Sequence, residues 1–167
     1  MDDFILSFAK WLETTTLHPV MHYRGVWPTL EAFHFVGLML LLGTVLLLDL
    51  RMLGVAKQLP LGSLHQLVLP WALAGFGVSL ITGICFIIGF ATDYVGNIAF
   101  YLKLGALLLL GINALIFYVT PIHREVAAVA PGEDAPAAAK MIATISVFLW
   151  FSVIALGRLI AFVGGYG

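Results

Sequence analysis

Ionisable side chains from distant parts of the chain converge on one depth. His34, Lys103 and Arg158 each stand five residues in from the same-side end of a long apolar run. Glu31 stands one helical turn above His34 on the same side of its helix. At ~1.5 Å per residue the three inner groups lie roughly 7–8 Å below one face. Charged and imidazole groups inside an apolar run are costly, which marks them as functional candidates. One reading has Glu31 neutralise Lys103 or Arg158 while the long cations reach back to the interface. The other counts two cations against one carboxylate, a surplus that suits a haem propionate, a lipid phosphate or a small carboxylate. A b-type haem needs an imidazole for its iron and an apolar slot for its ring. His34 is the candidate ligand, with His22 or His18 as the second if the N-terminal segment folds back. Lys103, Arg158 and Glu31 then surround the acidic groups, and a quinone is the alternative occupant. Against this stands the lack of paired histidines inside two facing runs. His65 and His123 flank the loops at the other end and offer a second, weaker site. Met21 and His22 beside His18 combine soft and imidazole donors suited to copper, so His18, His22 and His34 are the candidate metal ligands. Met39, Met52 and Met141 are too scattered to form a methionine conduit.

The elements that carry these residues are membrane spans. The 167 residues are 62% apolar and 10% charged, with a mean hydropathy of +1.06, which excludes a soluble globular domain. Apolar runs at about 29–50, 67–91, 98–118 and 141–163 each suffice for a spanning helix of ~20 residues. Residues 27–167 thus read as one four-span domain, entered through Trp27-Pro28. Residues 1–26 read as a leader. In it Phe4, Ile5, Phe8, Trp11 and Leu12 recur at helical spacing opposite Lys10 and Glu13, the pattern of a helix lying in the interface plane. Asp2 and Asp3 stand where a signal peptide would be basic. Ser63 is the expected N-cap of span two, Pro70 opens or kinks that span, and Val126 to Ala139 reads as an exposed, mobile loop.

Small residues at Gly75, Ser79 and Gly83, and at Gly105, Ala106, Gly111 and Ala114, predict close helix packing. Asn113 is placed for an interhelical hydrogen bond, and Asp49 with Arg51 for a clamp or helix-end anchor at the span end. Arg51, Lys57, Arg124 and Lys140 outnumber Lys10 and Arg24 across the membrane, so both termini are expected to face outward, towards the periplasm. A net charge of −1 gives no field for nucleic acid. The single cysteine, Cys85, rules out an internal disulfide and cysteine-ligated clusters. No phosphate-binding glycine loop, HExxH or spaced Ser-His-Asp set is present.

Several motifs agree in order and spacing: Leu48-Asp49-Leu50-Arg51-Met52-Leu53-Gly54, Leu69-Pro70-Trp71, Ala99-Phe100-Tyr101-Leu102-Lys103, Asn113-Ala114-Leu115-Ile116-Phe117 and Gly157-Arg158-Leu159-Ile160-Ala161-Phe162. Together they resemble a bacterial family of small four-span membrane proteins of unknown function, over most of the chain from Glu31 to Phe162. The resemblance implies the fold and a bacterial inner-membrane location, and brings no activity or ligand set. The stretch from Glu31 to Leu38 is also similar to helices of the copper-resistance D family and of haem-binding bundles.

The expected fold is an all-α integral membrane four-helix bundle preceded by an amphipathic interfacial helix. Three functions remain open: a redox-associated bundle binding haem b or a quinone around His34, a non-catalytic scaffold subunit, and a small permease or metal-handling protein. No independent catalytic activity is expected. The expected partners are the lipid bilayer, membrane or periplasmic redox proteins, and a second copy of the chain.

Overall fold

A computed structural model describes residues 2–163. Every regular element in it is helical: α1 (Asp2–Glu13), α2 (Leu17–Met21), α3 (Val26–Met52), α4 (Leu61–Gly89), α5 (Ala91–Val95), α6 (Ile98–Val119), α7 (Ile122–Ala127) and α8 (Ala137–Val163). The four long helices have 27, 29, 22 and 27 residues and are apolar enough to cross a membrane. The shortest spans ~33 Å, against ~30 Å of hydrocarbon. The chain is a multi-pass, all-α membrane protein.

These helices cover the four expected spans, except that α4 stops at Gly89 short of residue 91, and they overrun most of the other ends. Helix α4 starts at Leu61, capped by Pro60, so Ser63 is already inside the first turn and is no cap. It runs on through Pro70. Helix α8 starts at Ala137, ahead of the expected residue 141.

The bundle is built from two tight pairs, α3 with α4 and α6 with α8, which meet chiefly along α3 and α8. Lipid tails give helices no apolar reason to prefer one another, so close packing must hold each pair together. In the first pair the backbones touch. A Cβ on Gly75 would stand 2.6 Å from Leu41 N and 2.7 Å from Gly37 O, and one on Gly37 would stand 2.7 Å from Ser79 Oγ. The second pair interlocks Ala106 and Leu110 with Leu149, Trp150 and Val153. Gly105 and Gly111 face nothing within 4 Å, and of the small residues expected on α6 only Ala106 is buried. Asn113 Nδ2 donates to the Ile142 carbonyl at 3.1 Å, the expected bond between α6 and α8.

At the loop end, Arg51 is 1% exposed and does not clamp Asp49. Its Nε donates to Leu59 O at 2.7 Å and its Nη2 to Lys57 O at 2.8 Å, while both terminal nitrogens reach Glu133 O at 3.4 Å. A planar guanidinium fork finds several carbonyls in a loop that one carboxylate on its own helix cannot supply. Asp49 is buried instead beside Ser146 of α8.

The segment from Val126 to Ala139 is exposed along most of its length, as expected, but it is pinned to the bundle as a strap. Val126, Ala135 and Ala139 are buried with Met52, Leu61 and Phe117. Asp134 takes both Lys57 at 2.9 Å and Lys140 at 2.8 Å, and the two ammonium groups hold its pKa down at about 2. Gly132, at φ +90°, turns its N–H onto Lys57 O at 2.8 Å.

The leader is docked at the other end. Helix α1 packs on α5 and α4 through buried Ala9. Glu13 accepts from Thr92 N at 3.1 Å and Thr92 Oγ1 at 2.6 Å, which lowers its pKa below the usual carboxylate value. Phe4, Phe8 and Trp11 stay exposed, giving α1 an unburied aromatic face.

Candidate functional site

A cavity of about 960 Å³ opens at the end of the bundle where α3 begins and α8 finishes. Such a volume lies near the top of the ~300–1,000 Å³ range of small-molecule and cofactor sites. It exists because α3–α4 and α6–α8 are separate pairs whose seam is left unfilled at this end. Helix α5 and the start of α6 close it from above through Asp93, Tyr94 and Asn97. Asn97 fixes that corner: its side-chain oxygen accepts from Ala99 N and Phe100 N, and its Nδ2 donates to Ile160 O of α8 at 2.9 Å.

Glu31, His34, Lys103 and Arg158 all line this cavity. Four residues from three helices, singled out by depth alone, share one space. The walls between them are aromatic and aliphatic, with Trp27, Phe86, Phe90 and Trp150 the largest. Trp27 packs on Phe86 and Phe90 with ring centroids 4.7 and 4.5 Å apart.

His34 is held in one orientation. Its Nδ1 lies 2.7 Å from Thr82 Oγ1, and Phe86 meets the ring edge-on at 5.2 Å. Thr82 has one hydroxyl hydrogen, which goes back along α4 to Val78 O at 2.7 Å or Ser79 O at 3.2 Å. While the hydroxyl donates to either carbonyl it accepts from His34, and Nδ1 then carries the proton. In that neutral tautomer the ring's lone pair is on Nε2. Gly83 leaves open space by the ring: a Cβ there would come no nearer than 3.8 Å, to His34 Cε1.

The charged groups do not form the expected neutralising layer. Among the described residues, Glu31, Lys103 and Arg158 form no ion pair. Arg158 lies over the Phe162 ring at 5.0 Å, a cation–π contact. The half-buried Lys103 lies against Gly157, where a Cβ would stand 3.5 Å from Nζ. Asp93 also lines the cavity, so its lining carries two carboxylates and two cations. Depth counting missed Asp93 because it lies in α5, between the spans. Its signal was an acidic residue beside Tyr94 in a five-residue connection.

His18 and His22 do not line the cavity. They sit beyond Phe90, whose ring is 5.1 Å from that of His22. Met21 is buried, its Cβ 3.0 Å from where a Gly89 side chain would begin. At the far end His65 Nε2 meets Tyr118 OH at 3.0 Å, and His123 packs against the other side of that tyrosine. Among the described residues no group of three or more His, Cys, Asp or Glu side chains is close enough to hold a metal ion.

The sequence profile of one family, described as a family of unknown function and designated DUF6644, matches residues 8–163. The chain belongs to this family. The match starts inside α1, so the docked leader is part of the family's shared length and not an appendage to the bundle. No curated protein and no solved structure matches the chain.

Proposed function

We propose that this DUF6644 member is a haem b-binding membrane protein whose cavity holds the cofactor at the periplasmic side. The observation that carries the reading is His34 on the cavity wall, held at Nδ1 by Thr82. With Thr82 accepting from Nδ1, Nε2 is the nitrogen that keeps a lone pair for a metal, in a large aromatic-walled cavity. Histidines that ligate metals are oriented in this way by a partner on the opposite ring nitrogen. When bound, haem supplies one-electron redox chemistry.

The chain's own residues have distinct parts in this reading. His34 would hold the iron through a ring nitrogen, with Thr82 bonded to the other to orient the ring. Trp27, Phe86, Phe90 and Trp150 provide an apolar slot that keeps water from the ring. Lys103 and Arg158, which form no ion pair among the described residues, would be donors for the propionates. Among the described residues His34 is the one imidazole in the cavity, so a haem here has a single protein histidine.

The test is the absorption spectrum of detergent-purified protein from haem-replete cells, oxidised and then reduced, with and without carbon monoxide. The expected result is near-stoichiometric haem that binds carbon monoxide when reduced. His34→Ala abolishes the colour, and substitutions at His18 or His22 leave it. A colourless parent protein rejects the reading.

A quinone headgroup is the second reading. Lys103 favours it, as an ammonium with no partner among the described residues that can donate to a carbonyl oxygen. Organic extraction of the purified protein separates the two: quinone without iron supports this one.

A further inference from the structure

We infer that His18 and His22 form a two-imidazole site for a divalent transition-metal ion on the leader, separate from the cavity. The inference does not rest on the haem reading. The two residues are four apart, which places them on one face of the α2 turn. Their ring centroids are 4.6 Å apart with the planes tilted by 47°.

Both rings are locked in the metal-ready tautomer by independent acceptors. His18 Nδ1 lies 3.2 Å from the carbonyl of Ile88 in α4. His22 Nδ1 lies 3.0 Å from the carbonyl of His18. A carbonyl oxygen can only accept, so each Nδ1 bears the hydrogen, and each neutral ring presents its lone pair at Nε2. No described residue takes up either Nε2. Carbonyl-anchored imidazoles of this kind are the usual support for metal-binding nitrogens. His22 is exposed and His18 half-buried, so the pair is open to ions from water. Glu13 lies within electrostatic reach of both and adds negative charge beside them.

The donor set decides the class of ion. Met21 falls between the two histidines in sequence, but its side chain is buried against Gly89 and is not offered with them. Nitrogen donors without a thioether select a borderline divalent ion, and Cu²⁺ is the tightest binder of that series. Water fills the remaining positions, consistent with the absence of a third clustered ligand among the described residues.

The experiment titrates Cu²⁺ alone into the full-length protein in detergent, read by chelator competition and by electron paramagnetic resonance. One ion per chain is expected, with superhyperfine splitting from two imidazole nitrogens. His18→Gln and His22→Gln each weaken binding at least tenfold, while His34→Ala leaves it unchanged. Far-UV circular dichroism checks that the variants keep their helices, and the splitting pattern of the parent tests the ligands without any variant. A double His18→Gln/His22→Gln protein that binds as tightly as the parent overturns the inference, as does a parent spectrum without nitrogen splitting. A colourless protein that still binds Cu²⁺ through these two residues rejects the haem reading alone.

Discussion

Substituting Gly75 by alanine tests how the α3–α4 crossing holds the site. The new Cβ would lie 2.6 Å from Leu41 N and 2.7 Å from Gly37 O, both backbone atoms that cannot rotate aside. Ordinary van der Waals contact begins at 3.4 Å. The helices must therefore part by about 0.8 Å, in a region too closely packed to absorb the change elsewhere. The same two helices carry the His34–Thr82 bond at 2.7 Å. A uniform separation of that size stretches it to about 3.5 Å, beyond an effective hydrogen bond. Overpacking costs about 1–3 kcal/mol and the lost bond about 0.5–1.5 kcal/mol. Gly77 is the internal control, being on the same helix with nothing within 4 Å of its Cβ position. Both variants gain the same helix propensity, so their difference isolates the crossing at about 1.5–4.5 kcal/mol. Reversible unfolding in mixed micelles measures it. Equal stabilities for Gly75→Ala and Gly77→Ala would refute the claim that backbone contact at this crossing sets the α3–α4 distance.

Two further outcomes follow from the polar contacts at the two ends. Arg51→Met leaves the Leu59 and Glu133 carbonyls without its guanidinium, whereas Lys57 O keeps the Gly132 N–H, so a loss of about 2–6 kcal/mol is expected by the same unfolding measurement. Arg51→Lys recovers little of it, because an ammonium cannot reproduce the fork, and proteolysis within residues 126–139 rises in both variants. Acid is expected to release the leader. The pKa of Glu13 is lowered in the folded protein, so its contribution is complete above the usual carboxylate value of 4.5 and is lost as pH falls through the folded value. Hydrogen exchange of α1 and α5 should rise together over that acid range in the parent, and Glu13→Gln should abolish most of the pH dependence. A parent whose α1 exchange is flat across that range refutes the docking role of Glu13. The strap behaves differently, since Asp134 weakens only as pH falls from the carboxylate range towards about 2.

Much of the architecture was legible because its causes are local. Apolar runs longer than a bilayer is thick require helices, and a fixed rise per residue converts sequence position into depth. That reasoning is why Glu31, His34, Lys103 and Arg158 could be assigned to one level, and they do line one cavity. The alternating aromatic and polar residues of the leader gave its amphipathic helix in the same way. Local reasoning failed where a residue's partner lay elsewhere. Arg51 looked like the partner of Asp49, two positions away, but its carbonyls come from Lys57, Leu59 and Glu133. The polar, glycine- and proline-bearing stretch before α8 looked free because its packing partners, Met52, Leu61 and Phe117, lie on three other helices. Gly105 and Gly111 resembled a packing ridge, yet a Cβ at either would meet nothing within 4 Å among the described residues.

By itself the sequence determined four spans, a leader and the depth of each polar group. Tertiary structure alone decided which groups share a space. It brought Asp93 to the cavity, held Glu31, Lys103 and Arg158 apart from one another, put Thr82 on His34 Nδ1, and kept His18 and His22 outside behind Phe90. The physical reason is geometric. Depth accumulates along a helix from residue to residue. The direction in which a side chain points is settled only when two helices cross, and here that crossing is set by backbone contact at Gly37 and Gly75.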